Sequence, residues 1–310
     1  MKLFSPHFFI SHREIQIPSI RFYFRSVSSS IIFPKISRLL NKLLYKFGLG
    51  FSLNRYENSW TIYSSVSDKK LYKDFSKNSI FCNFGSGAFY HNLWKNYDYR
   101  GQSKYYRALQ GVEGHDFSHI DLCSEDLVIP EKDQSVSLIY CSHTLEHITV
   151  DAAKNFLKEC LRILKPSGVM RIVLPRTSTN FYYLSLLENQ YLNIEHKNFI
   201  ARLSAYDVLS DTKDLQNDEL WSLIKRSEFD ANKFYKLAIE KGISCDFDAN
   251  NADKHISFWN YERLIEFSKS LGFTKCIPLY RGSSFVKPFS NINIFDTTEP
   301  HFSFYTELIK

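Results

Sequence analysis

His143, Glu146 and His147 fall together in Ser142-His143-Thr144-Leu145-Glu146-His147. Imidazole exchanges protons near neutral pH, so an oxygen or nitrogen nucleophile held here could lose its proton. His143 is the first candidate for that base and His255 the second. The same residues spell H-x-x-E-H, the inverted zinc-protease motif, which needs both histidines on one helix face. His143 instead falls at a strand exit, before any helix begins, and no partner motif follows. No metal is therefore expected.

A second set of residues suits nucleotide binding. In Asn83-Phe84-Gly85-Ser86-Gly87 the two glycines allow a tight turn after a strand and close approach of a ligand to the backbone. Asp98 ends the next strand, where an acid can accept two hydroxyl protons from a ribose. Asp121 ends the one after. The nicotinamide fingerprint G-x-G-x-x-G would need glycine where Tyr90 stands, which argues against a dehydrogenase.

These residues must be positioned by strands. Val136 to Cys141 is apolar and short enough for a buried parallel strand. Val150, Ala153, Phe156, Leu157, Cys160, Leu161 and Leu164 then repeat at helical spacing, and Lys165-Pro166-Ser167-Gly168 stops that helix. A strand from Val169 to Leu174 runs into Pro175. Such a strand–helix–strand unit has a right-handed crossover and a parallel sheet, with ligands gathering outside the carboxyl ends of the strands.

Further strands are expected at Ile80–Phe84, at Trp94–Asp98 and from His115 to Asp121, with helix-like residues from Gln102 to Leu109. The gap from Gly87 to Asp98 is too short for a full crossover helix. Helical patterns fill 177–254, notably Phe181–Leu192 and Glu219–Lys241; an insert there overlies the crevice and can serve as a lid. A helix from Trp259 to Gly272, a strand from Phe273 to Leu279 and an alternating strand from Phe302 to Ile309, antiparallel at the end of the sheet, complete the chain. The expected fold is α/β: a doubly wound, mostly parallel Rossmann-like sheet with an antiparallel last strand and a helical insert. The domains read as 1–58, a basic extension; 59–176, the nucleotide-binding core; 177–254, the insert; and 255–310, the rest of the core.

Charge is uneven. Residues 1–50 hold eight Lys or Arg and one Glu, whereas the remainder holds 31 basic and 32 acidic residues. A body without net positive charge does not suit a nucleic-acid backbone. In the extension, residues 1 to about 35 look irregular. Ile36, Leu39, Leu40, Leu43, Leu44 and Phe47 then form one helical face, opposite Arg38, Asn41, Lys42 and Lys46, with an end at Gly48 or Gly50. That stripe is first of all a packing face, and alternatively a contact of residues 36–47 with an anionic membrane surface. No apolar run is long enough to span a bilayer, and six scattered cysteines without a C-x-x-C pair suit a reducing, cytoplasmic compartment.

Taken in order, Asn83-Phe84-Gly85-Ser86-Gly87, Trp94-x-Asn96-x-Asp98, Asp121-Leu122, Tyr140 to His147 and Leu164 to Gly168 resemble the class I S-adenosylmethionine (SAM)-dependent methyltransferases, the methyltransferase domain family. The closing Phe295-Asp296-x-x-Glu299-Pro300-x-Phe302-Ser303-Phe304-Tyr305-x-Glu307 resembles a tail in one branch of that family. The resemblance covers roughly 80–176 and 255–310. It departs where Asn83 replaces the usual acid and where a third glycine is missing.

The resemblance implies SAM as cofactor, with its methionine end on the turn of Asn83, Gly85, Ser86 and Gly87, and with Ser142 also binding the cofactor. It further implies ribose on Asp98, and adenine between Asp121 and Leu122. His143 and His255 would serve catalysis, with Tyr140, Arg176 and Trp259 framing a small-molecule or glycan-like acceptor. The alternatives are a fold-retaining protein without turnover, which Asn83 favours, and a nicotinamide-dependent oxidoreductase.

Overall fold

The computed structural model describes residues 19–23, 32–54, 59–89, 91–101, 107, 109–188, 193–298, 300 and 302–310. Most of the segment expected as a helix from Gln102 to Leu109 lies outside the described residues, as does Tyr90.

Among the described residues, ten strands form two sheets. Strands β1 (Ser19–Tyr23), β2 (Leu49–Asn54) and β3 (Ser59–Ser64) make a small antiparallel sheet in the order β1-β3-β2. β1 was not expected, because residues 1–35 show little periodicity; its pairing with β3, which is distant in sequence, supplies the missing order. The small sheet also extends through Ser64.

The main sheet holds β4 (Ile80–Phe84), β5 (Lys95–Asp98), β6 (Ser118–His119), β7 (Val136–Ser142), β8 (Leu164–Pro175), β9 (Lys275–Leu279) and β10 (Ser303–Ile309). Their order is β6-β5-β4-β7-β8-β10-β9. β4 to β8 run parallel, and β10 is antiparallel to both of its neighbours. The mostly parallel sheet with one antiparallel strand is the expected one. β10, last in sequence, is however inserted between β8 and β9 and does not lie at the sheet's end, which β9 occupies. The chain moves outward from β4 to β6 and then returns to β7 on β4's other side. Between β4 and β7 the sheet therefore has a topological switch point, where open α/β sheets bind ligands.

The helices are α1 (Ile32–Tyr45), α2 (Asp68–Leu71), α3 (Val150–Ile163), α4 (Thr177–Glu188), α5 (Ile194–Val208), α6 (Asn217–Arg226), α7 (Ala231–Glu240) and α8 (Tyr261–Leu271). α3 starts where Thr149 accepts a hydrogen bond from the Ala152 amide, and its Ala153, Phe156, Leu157 and Cys160 are fully buried on the sheet. Burying one such large side chain contributes about 1.5–3 kcal/mol. α8 ends at Gly272, whose φ of +108° suits a left-handed cap.

One core cluster joins α3 and α8 to the sheet, and an aromatic cluster of Phe81, Trp94, Tyr140, Phe289 and Phe295 fills the other face. The insert has a third core of its own, including Phe181, Ala201, Leu223 and Phe234. Beneath β8 and β10, Arg171 is fully buried and bonds the carboxylates of Asp296 and Glu307 and the carbonyls of Tyr280 and Ser283.

The stripe on α1 does not pack as a unit. Arg38 and Asn41, expected on the outer face, are buried, whereas Leu39, Leu43 and Phe47 are 59%, 48% and 80% exposed. The cause lies in the hydrogen-bond partners of those two residues. Carbonyls of Gly87 and Leu109 accept hydrogen bonds from Arg38, and Asn41 accepts one from the Phe51 amide. A buried carbonyl such as that of Leu109 needs a donor more than the surface needs another leucine. The side chain of Ile36 lies outside the described residues.

Candidate functional site

A cavity of about 490 Å³ opens at the switch point. The exits of four strands line it: Gly85 after β4, Asp98 and Tyr99 at β5, Asp121 and Leu122 beyond β6, and His143 and Thr144 beyond β7. His147 and residues 247–253 close the far side.

Gly85 stands at φ +66°, and a Cβ there would lie 2.0 Å from Thr144 Oγ1, so both conformation and space demand glycine. Gly87 also has a positive φ, and its amide donates to Asp98 Oδ2 at 2.7 Å. Burial pushes the Asp98 carboxyl up, while hydrogen bonds involving Gly87, Gln110, Tyr99 and Ser86 pull it the other way. Asp121 Oδ1 accepts from the Cys123 amide at 2.9 Å. Of the nucleotide-site residues expected from sequence, Gly85, Asp98, Asp121 and Leu122 line the cavity. Asn83, Ser86, Gly87 and Ser142 stand outside that lining; Asn83 is buried and donates to Asn96 Oδ1 at 3.4 Å.

His143 adopts φ +51°, a left-handed conformation that costs an ordinary residue about 1–2 kcal/mol. Its amide donates to the Val173 carbonyl, Nε2 lies 2.9 Å from Ser303 Oγ, and Nδ1 lies 3.1 Å from Glu146 Oε1. Both ring nitrogens are thus engaged.

His147 and His255 are held differently. His147 Nδ1 lies 3.0 Å from the Lys254 carbonyl and His255 Nδ1 lies 2.8 Å from the Asp207 carbonyl. A carbonyl only accepts, so each Nδ1 carries a proton, and in the neutral ring Nε2 is the nitrogen left with a lone pair. The rings meet edge to face at 4.9 Å. Burial pushes His147 down, against the pull of Glu146. For Glu146, burial alone would raise the carboxyl, but His143, His147 and His255 bring it to about 2.

Distant residues fix this cluster. The amides of Ile256 and Ser257 donate to the Glu146 carbonyl at 2.8 and 3.2 Å, and His255 N donates to Ser210 Oγ at 2.8 Å. His255 is outside the cavity lining but within this cluster. Sequence reading missed Tyr99, Phe247 and the 249–253 turn, which have no motif; Phe247 packs edge to face on Tyr99 at 5.8 Å.

Tyr140 does not frame an acceptor. It is buried among Phe89, Phe289 and Phe295 on the opposite face, where its hydroxyl accepts from the Asp296 amide, because alternate residues of β7 point to opposite sides. Arg176 and Trp259 line a separate cavity of about 130 Å³.

The strand order defines an open, doubly wound α/β protein with a cavity at its switch point, and residues 92–172 match the family model described as "Methyltransferase domain". Residues 92–172 thus carry a methyltransferase domain, which supports S-adenosylmethionine as the methyl donor. The match begins past Gly85–Gly87 and includes Asp98, Asp121 and the 142–147 segment; it favours methyl transfer over hydride transfer.

Among solved structures, a SAM-dependent methyltransferase from Aquifex aeolicus aligns at 11% identity over 89% of this chain and 97% of that one, with a TM-score of 0.32. A SAM-dependent methyltransferase from Thermotoga maritima, described as a possible histamine N-methyltransferase, aligns at 14% identity over 90% and 98%, with a TM-score of 0.36. A putative S-adenosyl-L-methionine-dependent methyltransferase from Methanococcus maripaludis aligns at 14% identity over 93% and 97%, with a TM-score of 0.34. No curated protein matches this sequence.

Proposed function

We propose that the enzyme methylates an oxygen or nitrogen of a small-molecule or glycan-like acceptor, and that SAM lies along Gly85, Asp98, Asp121 and Leu122. The observation that carries this reading is the convergence of those residues on one cavity at the switch point. Asp98 holds the ribose hydroxyls with the oxygen that Gly87 does not engage. The Asp121 carboxylate accepts from the adenine amino group, and Leu122 packs on the ring.

The acceptor sits toward His143, His147 and His255, beneath the 247–253 turn. Methyl transfer is an in-line displacement, so holding nucleophile, methyl carbon and sulfur in line supplies much of the rate. His255 is the better-placed base, since its Nε2 is unengaged by the backbone, and His143 positions Glu146. On this reading the chain divides into an extension, a core, a lid at 177–254 and the core's return from 255.

Calorimetry with SAM tests the reading. Asp98→Ala and Asp121→Ala should each weaken binding ten- to a hundredfold, from about 1.5–3 kcal/mol per lost charged acceptor. SAM affinity unchanged in both variants would refute the site.

A second reading concerns location. Among the described residues no helix is long and apolar enough to cross a membrane. The enzyme works in the cytoplasm and rests α1 on an anionic membrane surface, a reading favoured by the exposure of Leu39, Leu43 and Phe47 beside Lys46.

A further inference from the structure

Glu146 is an unusual buried carboxylate. Its side chain is 2% exposed, and neither oxygen makes a well-formed hydrogen bond. The His143 ion pair at 3.1 Å approaches only Oε1. A buried carboxylate oxygen without a donor is costly, and its presence needs a partner.

Two candidate partners of the same group stand beside it. One ligand atom each from Glu146, His147 and His255 lie within 4.8 Å of one another, and His147 Nε2 is 3.9 Å from Glu146 Oε1. Each histidine anchors Nδ1 on a backbone carbonyl, the arrangement that fixes the tautomer and aims Nε2 at a metal. A tetrahedral ion with bonds of about 2.0–2.2 Å spaces its ligands about 3.3 Å apart, so small side-chain rotations close the set.

The geometry points to a divalent transition-metal site formed by Glu146, His147 Nε2 and His255 Nε2. Two imidazoles and one carboxylate select zinc, or iron(II) or manganese in its place, over magnesium or calcium, which prefer all-oxygen shells. The three protein ligands leave coordination positions open, and His147 places them at the cavity wall. With the ion bound, His255 Nε2 is a ligand and no longer a base, and the ion would activate an acceptor oxygen at the open position in its place; that use rests on the methyltransferase reading, whereas the metal site does not.

H-x-x-E-H therefore contributes only its last two residues. His143, at the strand exit, pairs with Glu146 from the side, and the third ligand comes from His255 beyond the insert.

The test is metal binding by the full-length protein, stripped with chelator and titrated with zinc or cobalt(II) in the absence of SAM. One equivalent should bind, with cobalt giving the intense visible bands of a low-coordinate site. Glu146→Gln, His147→Gln and His255→Gln should each weaken binding by at least about a hundredfold, since even outer-sphere changes cost about 10–100-fold. His196→Ala, a change at an exposed histidine of α5, should leave it intact. Circular dichroism and SAM affinity of the stripped variants separate metal loss from unfolding and from failure of the nucleotide site. Less than about a tenth of an equivalent in folded protein, or equal binding by all variants, would overturn the proposal.

Discussion

Arg38 donates to the carbonyl of Gly87, 49 residues further along the chain, at 3.4 Å, and to the carbonyl of Leu109. Gly111 makes room for the guanidinium: a Cβ there would stand 2.3 Å from Arg38 Nη1. The extension thus props the turn whose amide holds Asp98. Arg38→Met should lower stability by about 1–3 kcal/mol, the cost of stranding the buried Leu109 carbonyl. It should also weaken SAM binding. Thermal unfolding and calorimetry on the same sample check both, and unchanged SAM affinity would confine Arg38 to a structural role.

Asp98 ties binding to stability. Its folded-state proton affinity is raised by burial, so stability declines as pH rises from its unfolded pKa through its folded one, and the deficit persists above that window. Asp98→Asn removes the buried charge while keeping an acceptor for Gly87. We expect a higher melting temperature at neutral pH with weaker SAM binding, and a stability gain that disappears in acid. A variant less stable than the parent at pH 7 would contradict this account.

The two glycines of the turn should respond unequally. Gly85→Ala meets Thr144 and a positive φ together, and should cost more than about 2 kcal/mol. Gly87→Ala meets nothing within 4 Å and should cost about 1 kcal/mol for its backbone alone. Denaturant melts of both variants compare them directly.

Arg171, Asp296 and Glu307 are all fully buried. Arg171→Leu leaves two carboxylates without their cation and should destabilise by about 3–5 kcal/mol. Adding Asp296→Asn and Glu307→Gln should recover much of that loss. A double-mutant cycle with near-additive costs would show that the three do not act as a unit.

Leu39, Leu43 and Phe47 provide the test of membrane contact. The triple change Leu39→Ser, Leu43→Ser and Phe47→Ser should reduce binding to anionic vesicles at least about tenfold while leaving SAM affinity unchanged. Failure of the parent protein to sediment with such vesicles would end that reading.

Much of this protein can be read along the chain. The apolar runs of β4, β7 and β8, the stripe of α3, and the antiparallel β10 are local patterns, because a buried strand or a one-sided helix needs apolar residues at a fixed period. The meeting of Gly85, Asp98 and Asp121 at one cavity is equally legible, since strand exits in a parallel sheet converge on one edge. What the tertiary structure alone decided is which groups satisfy one another across long separations. Arg38 turns inward because carbonyls at Gly87 and Leu109 need a donor, and it reverses the face that periodicity assigns to α1. Tyr140 leaves the crevice because the phase of its strand, invisible in a uniformly apolar run, sends it to the aromatic face. His255 joins Glu146 and His147 through amides at Ile256 and Ser257 that bond the Glu146 carbonyl and through its own bonds to Ser210 and Asp207. Hydrogen-bond satisfaction in a closed interior is a property of the whole packing, and no local spacing encodes it.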